Sequence, residues 1–219
     1  MSGRFDIAEL IECGDSFARY RARDPEFRNW PLEQESEDSL RGIIQMILDP
    51  LSESVGKERV TLTSGFRSLA LVKAIESDAR KTGCPPRIFA PKDQHCASER
   101  DQKGALICDR GGCAVDLRVE GWTGFGLGNW IAENSVFDRM YLYGAEASVH
   151  VSIASVLKIL STGGREDLRE SDRAFVAPDG RIVRPKGAIV EMKRYGRRLL
   201  PRVRSRDWLA AAALSKDVL

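Results

Sequence analysis

The stretch CDRGGCAVDLRV, residues 108–119, decides how this chain reads. Gly111 and Gly112 mark a tight turn, and CAVDLRV then reads as a strand. Inside that strand Asp116 stands between apolar neighbours. A carboxylate there is costly unless it is paired or bound to a metal. Cys108 and Cys113 flank the turn, so a metal cradle, a disulfide corner and a plain turn into a buried strand are all open at this point.

Downstream, GLGNWIAENSV (126–136) reads as a helix. RMYLY (139–143) and SVHVSIA (148–154) read as two strands of a hairpin around GAEA. Upstream, residues 5–24 read as one short helix followed by a charged loop, and NWPLEQESEDSL (29–40) as a loop. The best helical pattern is DSLRGIIQMILDPL (38–51), where Leu40, Ile43, Ile44, Ile47, Leu48 and Leu51 form one apolar stripe. Asp38 is its expected cap and Pro50 its expected limit. ERVTLTSGFRS (58–68) predicts a strand running to Thr63 and then a turn. SLALVKAIESDARKTG (68–83) predicts an amphipathic helix closed by Gly83. RIFA (87–90) reads as a short strand, and residues 91–112 as a long irregular loop. Helices first, then strands with one helix inserted, predict an α+β fold: a small antiparallel sheet with helices packed on one side.

The last fifth differs. APDGRIVRP (177–185) predicts a hairpin with Asp179-Gly180 at its tip. KRYGRRLLPRVRSR (193–206) holds seven basic residues and no acid, and reads as a solvated tail or an arm that orders on a partner. DWLAAAALSKDVL (207–219) reads as a short helix.

Bulk composition narrows the function. The chain has 219 residues, 42% apolar and 30% charged, enough for a core without covalent staples. With 34 basic against 32 acidic residues, no global field draws it to nucleic acid or to a membrane. No apolar run approaches the roughly 18 residues of a membrane span. The opening MSGRFDIAELIECGDSF places acids where a secretory signal needs an apolar stretch, so synthesis in a cytoplasm without a signal peptide is expected. Five irregularly spaced cysteines then read as thiols or metal ligands before disulfides.

His95 and His150 are the two histidines of the chain. In SVHVSIA, His150 shares a face with Ser148 and Ser152, opposite Val149 and Val151. Two imidazoles and one carboxylate, with a fourth position for water, make the usual shape of a catalytic zinc site. A hydrogen-bonded structural histidine is the plainer reading of the same residues.

VTLTSGFRSLAL (60–71) resembles the serine-glycine-aromatic-arginine-serine turn of the M15 zinc peptidases, the D-alanyl-D-alanine carboxypeptidase family. GCAVD (112–116) resembles that family's glycine-x-alanine-x-aspartate ligand strand, and VHVSI (149–153) its last ligand strand. FDIAELIECGDSFARY, NWP, LDPL and FDRMYLY resemble, in the same order, the phage-type branch of the family, so the likeness covers about residues 5–153. It implies a Hedgehog/DD-peptidase-like domain over 1–160 with a C-terminal extension over 161–219.

The resemblance implies Zn2+ on His95, Asp116 and His150. It gives Arg67, beside Ser64, the substrate's terminal carboxylate, a role that suits a guanidinium fork. A structural arginine bracing the turn is the alternative, and Ser64 and Ser68 shape that turn. The sequence departs from the family twice. The family's first histidine sits seven residues before the aspartate, where this chain has Asp109, whereas His95 lies 21 residues ahead. Either CASERDQKGALICDR (96–110) is an insertion that leaves His95 at the metal, the preferred reading, or Asp109 substitutes as first ligand. The family's catalytic acid falls at Ala147, so Glu146, one residue away, is the candidate base.

Cys96 with Cys108 or Cys113 is open as a disulfide or as part of a structural zinc site, while Cys13 and Cys84 read as plain thiols. The implied function is a zinc peptidase acting on peptidoglycan peptides, phage- or prophage-encoded. The alternative is a virion- or tail-associated structural protein with the same fold and reduced catalysis, its basic arm lying along neighbouring subunits. Nucleic acid is the weaker partner for that arm.

Overall fold

A computed structural model describes residues 4–83, 90–135, 137 and 139–153, together with the strands Phe175–Val176, Ile182–Val183, Ala188–Tyr195 and Arg198–Ser205. RIFA falls almost wholly outside the described residues, as do the tip of the 177–185 hairpin and the 207–219 segment.

The N-terminal segment is two helices, α1 (Ile7–Glu12) and α2 (Asp15–Arg23), not one. A reciprocal capping box between Asp6 and Glu9 starts α1. Gly14 ends the continuity: its φ is +93°, and its backbone bridges Ser64 so closely that a Cβ would lie 3.0 Å from the Thr63 carbonyl oxygen. The long apolar stripe also runs differently. Helix α3 (Gln34–Ile43) passes through a π turn (Ile44–Leu48) into α4 (Asp49–Val55). Asp38 lies inside α3 rather than capping it. The backbone N–H groups of Leu32 and Glu33 donate instead to the buried carboxylate of Glu99, far along the chain. Pro50 does not stop the helix. It has no N–H to give to the preceding turn, and the ladder widens by one residue just before it. The six stripe residues are all buried, as the periodicity predicts.

Strand β1 (Val60–Ser64) leads to α5 (Leu69–Thr82), capped by Ser68 and closed by Gly83 in the left-handed region. After the 91–112 loop come β2 (Cys113–Val119), α6 (Gly124–Asn134), β3 (Arg139–Leu142) and β4 (Val149–Ile153). The fold is mixed helix and strand around a small antiparallel sheet in the order β1-β2-β4-β3. Val115, Leu117, Val149, Val151, Met140 and Leu142 turn one face to the core, against Leu40, Ile43, Ile47, Leu48, Leu127 and Ile131. Truncating one of these, such as Ile47, to alanine costs about 2–5 kcal/mol. By the alternation of strands, Asp116, His150 and Tyr141 belong to the other face.

Beyond β3 the sheet continues. A two-stranded pair, β5 (Phe175–Val176) and β6 (Ile182–Val183), stands apart. Strands β7 (Ala188–Tyr195) and β8 (Arg198–Ser205) form an antiparallel pair, and β8 adds to the edge at β3. The basic segment expected as a tail or arm therefore pairs, over most of its length, with the chain's own sheet.

Candidate metal centre

The centre is built by register. Asp116 on β2 lies directly opposite His150 on β4, and His150 lies opposite Tyr141 on β3. An irregularity in β1 between Leu62 and Ser64 brings Ser64, not Thr63, opposite Asp116. His95 arrives from the loop, on a short 3-10 turn (Gln94–Cys96) that Asp93 starts by accepting the His95 N–H through its side chain. Loop 96–110 does not float free: Ser98 N–H donates to Ser36 Oγ, and Glu99 holds the start of α3. His95 stands inside the cluster, and Asp109 lies exposed outside it.

Three side chains converge. His150 Nδ1 lies 2.7 Å from Asp116 Oδ1, and His95 Nε2 lies 3.3 Å from the same oxygen. The two imidazole rings meet edge to face with centroids 5.1 Å apart, and Tyr141 covers His150 at 4.9 Å. Both histidines are buried. One ligand atom from each of the three residues lies within 4.8 Å of the others. Burial alone would raise the Asp116 carboxyl, but the charge of His95 and His150 and their hydrogen bonds outweigh it and hold the group well below the usual carboxylate range.

The tautomer of His95 bears directly on a cation. Its Nδ1 sits 2.7 Å from the Gly65 carbonyl oxygen. A carbonyl can only accept, so Nδ1 carries the proton. Nε2 then faces Asp116 either as an imidazolium N–H or as a lone pair that needs a cation between it and the carboxylate. Zinc ligands at about 2.0–2.2 Å in tetrahedral array stand about 3.3–3.5 Å apart; the His95–Asp116 distance of 3.3 Å matches that, while the 2.7 Å His150–Asp116 hydrogen bond would have to open to admit the ion. Two imidazoles and a carboxylate fit zinc by donor type, and the Gly65 carbonyl supplies the outer hydrogen bond that ligating histidines usually make. Gly65 must be glycine, because a Cβ there would lie 2.1 Å from the Leu10 carbonyl oxygen.

Arg67 is bonded within the chain, as the bracing alternative has it. Its Nη1 donates to Asp93 Oδ2 at 2.6 Å and its Nη2 to Ser64 Oγ at 2.9 Å. Both side chains of the ion pair are buried, 9% and 5% exposed. The Arg67 N–H also donates to the His95 carbonyl at 2.8 Å. The turn after β1, Asp93 and His95 are therefore one braced unit. Ser64 belongs to that brace. Glu146 sits exposed in the β3–β4 turn and does not join the cluster. Asp93 escaped the sequence reading, although an aspartate two residues before His95 is the local signal of a side-chain-to-backbone turn.

The cysteines settle into plain roles. Cys13, Cys96, Cys108 and Cys113 are free thiols. Cys96 and Cys108 pack with Val72 and Ile107 in a small apolar cluster, and the Cys113 thiol donates to the Ser39 carbonyl. Neither of the two open disulfide pairings forms. Burial pushes the Cys13 thiol up to about 12 and raises Cys96, Cys108 and Cys113 as well. No protein-family model, curated protein or solved structure matches the chain.

Proposed function

We propose that the protein is a zinc-dependent peptidase acting on peptidoglycan peptides, phage- or prophage-encoded, with His95, Asp116 and His150 as its metal ligands. The observation that carries this is the convergence of those three side chains, from three separate segments, on one point. The ordered likeness of SGFRS, GCAVD and VHVSI to the M15 peptidases supplies the substrate class. Zinc held there would polarise a carbonyl and lower the pKa of a bound water. The chain's own residues do the rest. Gly65 fixes the ring of His95 through Nδ1. Asp116 takes the proton of His150 Nδ1 or faces the cation in its place. Tyr141 closes one side of the His150 ring. Arg67 and Asp93 position the His95 turn, with Arg67 Nη1 on Asp93 and Nη2 on Ser64. Glu146, carried by the 144–147 turn, is the proposed base.

The position of Glu146 outside the cluster also favours a second reading, a virion- or tail-associated structural protein that keeps the fold without the hydrolysis. One experiment separates them. Purified protein should carry about one zinc per chain and cleave wall-peptide fragments, and His150→Ala should lose both. Metal-free protein that assembles into particles and cleaves nothing refutes the peptidase reading.

A further inference from the structure

A pocket of about 290 Å³ opens where β1 and β2 meet the start of α6 and the β3–β4 turn. Thr61, Arg118, Glu120, Trp122 and Glu146 are among the residues that line it. Arg118 is two residues beyond Asp116 on β2, so the two side chains share a face and their backbones lie about 7 Å apart. Arg118, Glu120 and Glu146 are all exposed. Among the described residues, none of their side chains makes a hydrogen bond or an ion pair, with each other or with anything else. That contrasts with Arg67, whose guanidinium is buried against Asp93 and Ser64. A guanidinium and two carboxylates that face one cavity without touching leave room for a group carrying both charges.

The walls are firm. The Gly124 N–H donates to the Ala145 carbonyl at 2.6 Å, and a Cβ on Gly124 would lie 2.4 Å from the Gly144 carbonyl oxygen. The turn that carries Glu146 is therefore pressed against the start of α6. Trp122, half-buried, gives the cavity an apolar side.

We infer that this pocket is a binding subsite for a free amino-acid group, an ammonium and a carboxylate on one carbon, with Arg118 taking the carboxylate and Glu120 the ammonium. Guanidinium–carboxylate and ammonium–carboxylate hydrogen bonds are the strong, charge-assisted kind. At about 3.3–3.6 Å per extended residue, the pocket lies roughly two residues from the metal cluster. It would thus select peptides that carry such a zwitterionic group, at a terminus or at a side-chain end, about two residues from the bond to be cut. The place of the cut rests on the peptidase proposal; the binding itself does not.

The test uses the full ¹⁵N-labelled chain, with and without zinc, titrated with each enantiomer of Nε-acetyl-lysine. That compound presents a free amino-acid group at the end of an uncharged stem. Its methyl ester lacks the carboxylate, and its Nα-acetyl derivative lacks the ammonium. Binding of either enantiomer should shift the Trp122 indole and the amides of residues 118–124. Each single-charge control, and each of Arg118→Gln and Glu120→Gln, should bind roughly tenfold more weakly or worse. Both replacements are of exposed side chains, so signals elsewhere should superimpose on the unmodified protein. Three results overturn the inference: no shift at Trp122, equal binding of a single-charge control, or unchanged binding in Arg118→Gln or Glu120→Gln. Zinc content and wall-peptide cleavage read the peptidase proposal separately, so either can fail alone.

Discussion

Replacing Asp93 by alanine should be among the most damaging single changes to this protein, although Asp93 touches no candidate metal ligand except through the backbone. Its carboxylate takes Arg67 Nη1 on one oxygen and the His95 N–H on the other. With 9% and 5% of the two side chains exposed, the ion pair is buried, and removing one partner strands the other charge away from water. Stranding a buried charge in this way costs about 3–5 kcal/mol. The lost hydrogen bond to His95 adds about 1 kcal/mol. For a chain of this size the sum should lower the thermal midpoint by about 8–24 °C. Arg67→Ala should cost a similar amount for the reciprocal reason. Replacing both partners, Arg67→Met with Asp93→Leu, should recover most of the loss, because no charge is then left unpaired. The assay is urea unfolding, without zinc, of the unmodified protein, Arg67→Met, Asp93→Leu and the double variant, the four corners of one cycle. A coupling energy below about 1 kcal/mol would match an exposed pair and refute the reasoning. A stable Arg67→Ala protein that lost only affinity for carboxylate-bearing peptides would return Arg67 to the substrate role its motif implies.

Gly65→Ala should destabilise the fold by about 1–3 kcal/mol through overpacking against Leu10. It should also weaken zinc binding, since the displaced carbonyl no longer fixes His95; calorimetry with zinc reads the second effect apart from the first. Asp116 gives the zinc-free protein a particular acid sensitivity. Its carboxyl is held low in the folded state, so its contribution is complete above the unfolded value of about 3.9 and is lost as pH falls towards the folded one. The urea midpoint should therefore fall between about pH 4 and pH 2, and fall less in Asp116→Asn; equal slopes would contradict the shared-oxygen geometry. Cys13, Cys96, Cys108 and Cys113 should resist a thiol reagent at pH 8 until the protein is unfolded, because burial raises all four. Rapid native labelling of Cys96 or Cys108 would count against the packing described.

What the sequence revealed followed from locality. β2 and β4 show in short alternating or apolar runs, and α5 carries its own start and stop in Ser68 and Gly83. The cluster itself was legible because so few residues could form it: two histidines and one aspartate set among apolar neighbours. What stayed hidden depends on distant partners. The start of α3 is set by Glu99, 67 residues from Leu32. The break between α1 and α2 reflects the contact of Gly14 with β1. The filling of Arg67 by Asp93 spans 26 residues of chain, and the motif around Arg67 says nothing of it. The pairing of β8 with β3 is likewise non-local, and a run of arginines gives no hint of a sheet edge.

Asp116 and His150 lie 34 residues apart in the chain, and His95 comes from a third segment. Until β2 and β4 have paired and the turn bearing His95 has docked, no two of these groups are held together. A cation arriving before the strands have found their neighbours meets only isolated imidazoles, with nothing to grip it. Metal uptake would therefore report completed folding, and the ion would reward the finished molecule rather than guide the way to it.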